Sequence, residues 1–519
     1  MWLRRALAQA YGREAALEGD QDVFALRELT VNGVDFLAIL RLHGHRDGEI
    51  FAAAAFAAGR GDEPSGLDVP GDDPKHDRLK AVAVDADRIS YVGSYSDLPR
   101  ALAQAEQVDL TGRMVIPGLV DTHVHQAQAM IRECADDLAL IDWLCRRVWV
   151  LQGSYTPEEA AASARLCIAE MIKSGTTTFL ESGLAHRYGF EGVVEVAMES
   201  GIRCCLSKKV TDVASYADRD NALHPGLWET REQSLLTSLD MFDRWNGAAD
   251  GRIRVWFGPR TPGGVTTGLY REMVQEARRR KMGMTMHLAE VEADRIYLAQ
   301  THGMSPVEFV QHVGMVGPDV VLVHMVWLDD HDIELLASTS THVSHNPSSN
   351  SKLASGVSRV PDLLRAGVNV ALGCDGGPSN NAYDLLNEMK WAALVHKAVS
   401  LDPTVVPAET VLEMATVNGA RALSWDNEIG ALKVGYKADL VVIDARQPHL
   451  SPGLNPVSDL VYAANGADVD SVMVDGRWLM RHRQLLTIDE ERCLAEARRL
   501  APELYRRVGI DPSPRWPVL

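Results

Sequence analysis

Val115-Ile-Pro-Gly-Leu-Val-Asp-Thr-His-Val-His125 is the stretch from which the rest of the chain is read. It begins as an apolar, β-branched run and ends in two histidines one residue apart. Side chains alternate faces along a strand, so His123 and His125 point the same way, and two imidazoles at a strand end can share one metal ion. Three more metal-compatible residues also close apolar runs. They are His287 after Gly283-Met-Thr-Met, His324 after Val320-Val-Leu-Val, and Asp375 after Val368-Asn-Val-Ala-Leu-Gly-Cys.

Between these points the chain alternates short β-branched runs with amphipathic segments of helical length. The runs predict eight strands: Met114 to His123, Thr176 to Glu181, Ile202 to Lys208, Ile253 to Gly258, Met282 to Leu288, Val320 to His324, Thr341 to His345 and Val368 to Gly373. Thr156-Pro157-Glu158-Glu159 supplies an N-cap, a first-turn proline and an acidic first turn, and the helix it opens is expected to stop at Ser174-Gly175. Eight such units imply an α/β fold, a (β/α)8 TIM-like barrel over residues 114–424, with reactive residues at the carboxyl ends of its strands. The flanks carry alternating strands joined by turns, as in Ala81 to Gly93, Ala438 to Asp444 and Asp470 to Trp478. They predict a small β-sandwich domain built from both chain ends, residues 31–113 with 425–485. Residues 486–519 read as a C-terminal helix and tail, and residues 1–30 as an added helix or as sequence upstream of the true start.

Lys and Arg number 52 against 71 Asp and Glu, a net charge of −19, which argues against a nucleic-acid or anionic-membrane surface. The seven cysteines have no regular spacing and suit reduced thiols in the cytoplasm. Neither a signal peptide nor a membrane-spanning run is read. The expected partner is a small heterocyclic molecule, and the expected assembly is a homo-oligomer. Arg60-Gly61-Asp62 lies in a Gly-, Pro- and Asp-rich linker and is read as part of that linker alone. His43-Gly44-His45 also follows an apolar run, but a helix-free meander follows it, and it is read as a turn.

Several motifs together carry a resemblance. They are Pro117 to His125, Asp136-Asp-Leu-Ala-Leu-Ile-Asp-Trp-Leu144, Ser174-Gly-Thr-Thr-Thr178, His287-Leu-Ala-Glu290, His345-Asn-Pro-Ser-Ser-Asn350 with Lys352-Leu-Ala-Ser-Gly356, and Gly373-Cys-Asp-Gly376 with Ser379-Asn-Asn381. Over residues 80–480 the chain resembles the amidohydrolase superfamily, in the branch of nucleoside and S-adenosylhomocysteine deaminases and s-triazine hydrolases. The resemblance implies one divalent metal ion, Zn²⁺ or Fe²⁺, held by His123, His125, His287 and Asp375. Relatives with two ions carry a bridging lysine at the end of the fourth strand, whereas Ile253-Arg-Val-Trp-Phe-Gly-Pro-Arg260 has none, so a mononuclear site is expected. Lys208 and Lys209 end the third strand and read as surface or substrate-edge charges.

In the resembling enzymes the glutamate matching Glu290 protonates a ring nitrogen while hydroxide attacks the adjacent carbon. By the same resemblance Asp375 moves the water's proton to the leaving amine and His324 holds the hydroxide. The substrate pattern departs from the nucleoside deaminases. Gln152 stands where they carry a glutamate for the ribose diol, and Arg260 where they carry a histidine, and both changes argue against a nucleoside. Gly376 stands where the triazine hydrolases often have asparagine or aspartate. Substrate contacts are expected from Gln152, Arg260, His345, Trp149 and Asn380, with Trp143 and Trp327 as further candidate ring walls. The expected activity is displacement of an amino group from an s-triazine, pyrimidine or purine base. Hydrolysis of an acyclic amide or urea, and a noncatalytic scaffold role, are the alternatives.

Overall fold

Eight parallel strands follow one another in chain order around one sheet. They are β1 (Leu119–His125), β2 (Thr176–Leu184), β3 (Arg203–Val210), β4 (Ile253–Pro259), β5 (Met284–Leu288), β6 (Val320–His324), β7 (His342–His345) and β8 (Val370–Leu372). Just past β8, Asp375 and Gly376 pair in parallel with Val124 and His125 of β1, which closes the ring. Strands such as Val320-Val-Leu-Val are apolar throughout because both faces are buried, one against the barrel interior and one against helices. The computed structural model describes residues 39–41, 54–56 and 80–516, apart from 101, 103, 104, 218, 514 and 515. The readings of residues 1–30, of His43 and His45, and of Arg60-Gly61-Asp62 lie outside the described residues.

The helix Pro157–Lys173 forms as its signals predict. Thr156 and Glu159 make a reciprocal capping box, and Pro157 occupies the first turn, where its missing N–H costs nothing. The C-terminal helix Glu490–Val508 lies against it through the ion pairs Arg165–Glu496 and Lys173–Glu490. Within the barrel, Val120, Leu180, Cys205, Trp256, Val321 and Ala371 form one buried cluster with Ala420, Leu423 and Trp425.

The run expected as one strand from Met114 is two. Arg113–Pro117 belongs to a different, antiparallel sheet, and the chain turns at Gly118 into β1. A Cβ at Gly118 would stand 2.0 Å from the Thr177 Oγ1, so the junction tolerates only glycine. The antiparallel sheet orders its strands Gln484–Leu485, Arg477–Arg481, Val469–Val474, Leu440–Asp444, Arg113–Pro117, Ile39–Arg41 and Ala54–Phe56, so both sides of the barrel sequence contribute. Its faces divide by residue parity. Val115, Leu440 and Val442 pack with Val82 and Ile89 of the hairpin Lys80–Asp85/Arg88–Ser94, whereas Met114, Ile116, Val441 and Ile443 join the main core. The two antiparallel layers are the small β-sandwich the flanking sequences imply.

Candidate metal centre

His123 and His125 end β1, His287 lies near the end of β5, and Asp375 follows β8. One ligand atom from each falls within 4.8 Å of all the others. The His125 and His287 Nε2 atoms are 3.1 Å apart, and Asp375 Oδ1 lies 3.2 Å from His123 Nε2 and 3.5 Å from His125 Nε2. His123 is completely buried, yet neither of its ring nitrogens has a hydrogen-bond partner. Buried polar atoms are rarely left so, and a bound metal would satisfy one of these nitrogens. The donor set fits the ion: three imidazoles and one carboxylate suit Zn²⁺ or Fe²⁺. His125 and His287 are held toward the neutral form that ligation requires. Burial and the facing His123 push His125 down to about 3, and the same causes take His287 well below the usual range. Burial alone would raise Asp375, but the surrounding imidazoles, His123 first, hold it well below the usual carboxylate range.

A second layer of side chains fixes the donors. Asp121 accepts from the backbone N–H of His123 and of Cys374, each at 3.1 Å, and so ties β1 to the segment before Asp375. Ser349 donates to Asp375 Oδ2 at 2.6 Å. His324 Nδ1 lies 2.9 Å from Asn350 Oδ1, which makes Nδ1 the protonated nitrogen and leaves Nε2 with a free lone pair, 3.5 Å from Glu290 Oε2. Glu290 is buried; desolvation, with Asp375 and Asp294 nearby, raises its carboxyl well above the usual range. Its environment therefore favours the protonated form. Asp294 holds its loop by accepting from the Glu290 and Val291 N–H groups, and Tyr216 donates to the other Asp294 oxygen at 3.0 Å. Ala289, His324, Met325 and Asp375 all have positive φ, backbone strain gathered at one place.

A pocket opens over this cluster, lined by Gln128, Trp143, Trp149, Gln152, Lys209, Tyr216 and Arg260 together with His125, His287, Glu290, His324 and Asp375. Of the expected substrate contacts, Trp149, Gln152 and Arg260 line it. His345 and Asn380 do not. His345 Nε2 sits 3.0 Å from His396 Nε2, and Asn380 donates to the Cys374 carbonyl and to Glu388, so the pair brace the loops behind the donors. Trp327 is likewise absent from the lining and donates to the Ser355 carbonyl. Lys208 is a correction: it is fully buried and pairs with Glu229, because alternation along β3 turns Ser207 and Lys209, not Lys208, toward the barrel interior. Gln128, which no motif marks, fills the space a side chain at position 376 would need, with its Oε1 1.7 Å from a Cβ built on Gly376. The glycine after the metal aspartate was the available signal.

Burial lifts Glu388, the partner of Asn380, to about 8 against an ordinary 4.5. Between those values the folded chain keeps a proton that the unfolded chain has released, so this group lowers stability by about 1.4 kcal/mol for each unit of rising pH. Glu388→Gln, measured by urea unfolding at pH 5 and pH 8, is expected to flatten that slope. An unchanged slope would mean the carboxyl is ionised in the fold.

The sequence matches the amidohydrolase family over residues 114–479. The chain belongs to the amidohydrolase family. Among amidohydrolase relatives, it is 42% identical over 405 residues to a 5'-deoxyadenosine deaminase of Methanosarcina acetivorans, covering 78% of this chain and 89% of that one. It is 43% identical over 378 residues to a 5-methylthioadenosine/S-adenosylhomocysteine deaminase of Thermococcus onnurineus, covering 73% and 85%. An adenosine deaminase from Xanthomonas campestris with bound zinc superposes with a TM-score of 0.77 at 30% identity, over 82% of this chain and 94% of that one. The zinc-bound atrazine chlorohydrolase of Arthrobacter aurescens TC1, at 22% identity and a TM-score of 0.73 over 82% and 96%, shares the fold. This amidohydrolase is an aminohydrolase acting on carbon–nitrogen bonds. No helix among its described residues is long and apolar enough to cross a membrane.

Proposed function

We propose that the chain is a mononuclear metal-dependent aminohydrolase that removes an amino group from a ring carbon of an s-triazine, a pyrimidine or a purine base. One observation carries the reading: Glu290, a buried carboxyl whose pKa burial raises, stands beside His324 in the pocket that also holds the four-donor cluster. His123, His125, His287 and Asp375 would hold a divalent ion, which would lower the pKa of a bound water toward neutrality. Glu290 gives its proton to the ring nitrogen as water's oxygen adds to the neighbouring carbon, so no negative charge builds on the ring. His324, oriented by Asn350, accepts a hydrogen bond from the attacking oxygen. Asp375 takes one proton of the water and delivers it to the departing nitrogen; the C–N bond breaks, ammonia leaves, and the remaining hydroxyl proton returns to Glu290 as the carbonyl forms.

Gln152 and Arg260 speak against a ribose, because a diol is best held by a carboxylate acceptor and neither residue provides one. The names of the relatives weigh on the other side, so the substrate panel must hold both. Metal-replete protein should be offered aminopurines, aminopyrimidines, aminotriazines, arylureas and 5'-deoxyadenosine, with ammonia or amine release as the readout. The expected result is ammonia from at least one free aminoheterocycle, at a kcat/KM on the order of 10⁴ M⁻¹s⁻¹, and none from arylureas. A preference for 5'-deoxyadenosine would return the nucleoside, and no release from any member would end the reading.

A further inference from the structure

Two cations line the same pocket as Glu290, and among the described residues neither is ion-paired with a carboxylate. Lys209 of β3 is the register partner of Gly258 in β4, and Arg260 follows Gly258 by two residues on the same face. Arg260 is 7% exposed and lies over Trp149, its guanidinium carbon 4.7 Å from the ring centroid. Its Nη1 reaches the carbonyls of Val213 and Ser215 at 3.5 and 3.3 Å, while its Nη2 is buried without a partner. Glu229, the carboxylate near Lys209, is already paired with Lys208. The strain shows in both groups: burial and Arg260 bring Lys209 down to about 7, and burial brings Arg260 down to about 10.

Given the pocket's reading as a heterocycle site, we propose that the substrate carries an acceptor oxygen, a ring oxo group or a carboxylate, held by Arg260 Nη2 and the Lys209 ammonium. An unpaired buried donor is costly, and a site built around one rejects analogues that lack the matching acceptor. The substrate class narrows to amino-oxo-purines, amino-oxo-pyrimidines and carboxylated aminoheterocycles. Unsubstituted aminoheterocycles fall outside it.

Three rings without an amino group test this by binding alone: pyrimidine, 4-oxopyrimidine and pyrimidine-4-carboxylate. Each is titrated into metal-loaded protein and followed by the fluorescence of Trp143 and Trp149, which line the pocket. One of the two oxygen-bearing rings is expected to bind at least about tenfold more tightly than pyrimidine, and which of them does so identifies the oxygen. That ratio should fall to within about threefold in Lys209→Met and in Arg260→Met, and Lys209→Arg should restore it. Because Arg260 also holds the backbone at Val213 and Ser215, Lys209→Met stands as an independent variant should Arg260→Met not fold. Equal binding of all three rings, no saturable binding of any, or a preference that survives Lys209→Met would overturn the proposal. An oxygen preference without ammonia release from amino-bearing counterparts would sink the proposed reaction and leave this inference standing.

Discussion

Glu290→Gln is expected to lower ammonia release about a thousandfold while leaving close to one metal ion per chain. General acid catalysis by a positioned group is worth roughly 10²–10⁴ in rate, and here the acid is the Glu290 carboxyl, its pKa raised by burial, beside His324. Glutamine keeps the shape and the hydrogen-bonding capacity but has no proton to give. The pH profile adds a sign. Activity rests on the neutral carboxyl, so in the native enzyme kcat/KM should fall as pH rises through the raised Glu290 pKa, and the variant should lose that alkaline limb. Steady-state kinetics from pH 6 to 10 with metal analysis provide the check. A loss below tenfold, or the same alkaline limb in both proteins, would remove Glu290 from the acid role.

His123→Ala is expected to bring bound metal below about 0.1 equivalent per chain and to lower activity by at least about 10⁴. The His123 ring stands 4.7 Å from that of His287 and 4.8 Å from that of His125, in the middle of the donor set. Its loss removes the central donor and leaves two imidazoles and one carboxylate positioned for a four-donor shell. Wild-type protein stripped by a chelator should lose activity to the same depth and recover it when Zn²⁺ or Fe²⁺ is returned, and the more effective ion identifies the working metal. The variant should not recover. A His123→Ala protein holding a full equivalent of metal would mean the ion sits elsewhere.

The sequence revealed the positions of these groups better than their company. His123, His287 and Asp375 were visible because each closes a short, largely apolar run of strand length, the pattern of a strand buried on both faces. The break at Gly118 was hidden, since Met114 to Val120 is apolar on both sides of it and the change of sheet depends on Thr177, far along the chain. Periodicity also says nothing about where a side chain points once the strand has ended. His345 and Asn380 carried the right chemistry at the right end of the barrel, yet their loops turn them toward His396 and Glu388. Parity along β3 would have separated Lys209 from Lys208, had the inward face been anchored on Ser207. Gln128 had no motif to mark it, only the vacancy implied by Gly376.

The pairing of Asp375 and Gly376 with Val124 and His125 gives the barrel's last seam a second meaning. The residues that join the end of the ring to its beginning are the same ones that bring the carboxylate donor to the first histidines. An incompletely closed barrel therefore has no complete coordination shell. In the proposed site, a chain that has not closed its barrel would lack one donor, so retention of the ion would report on completed folding.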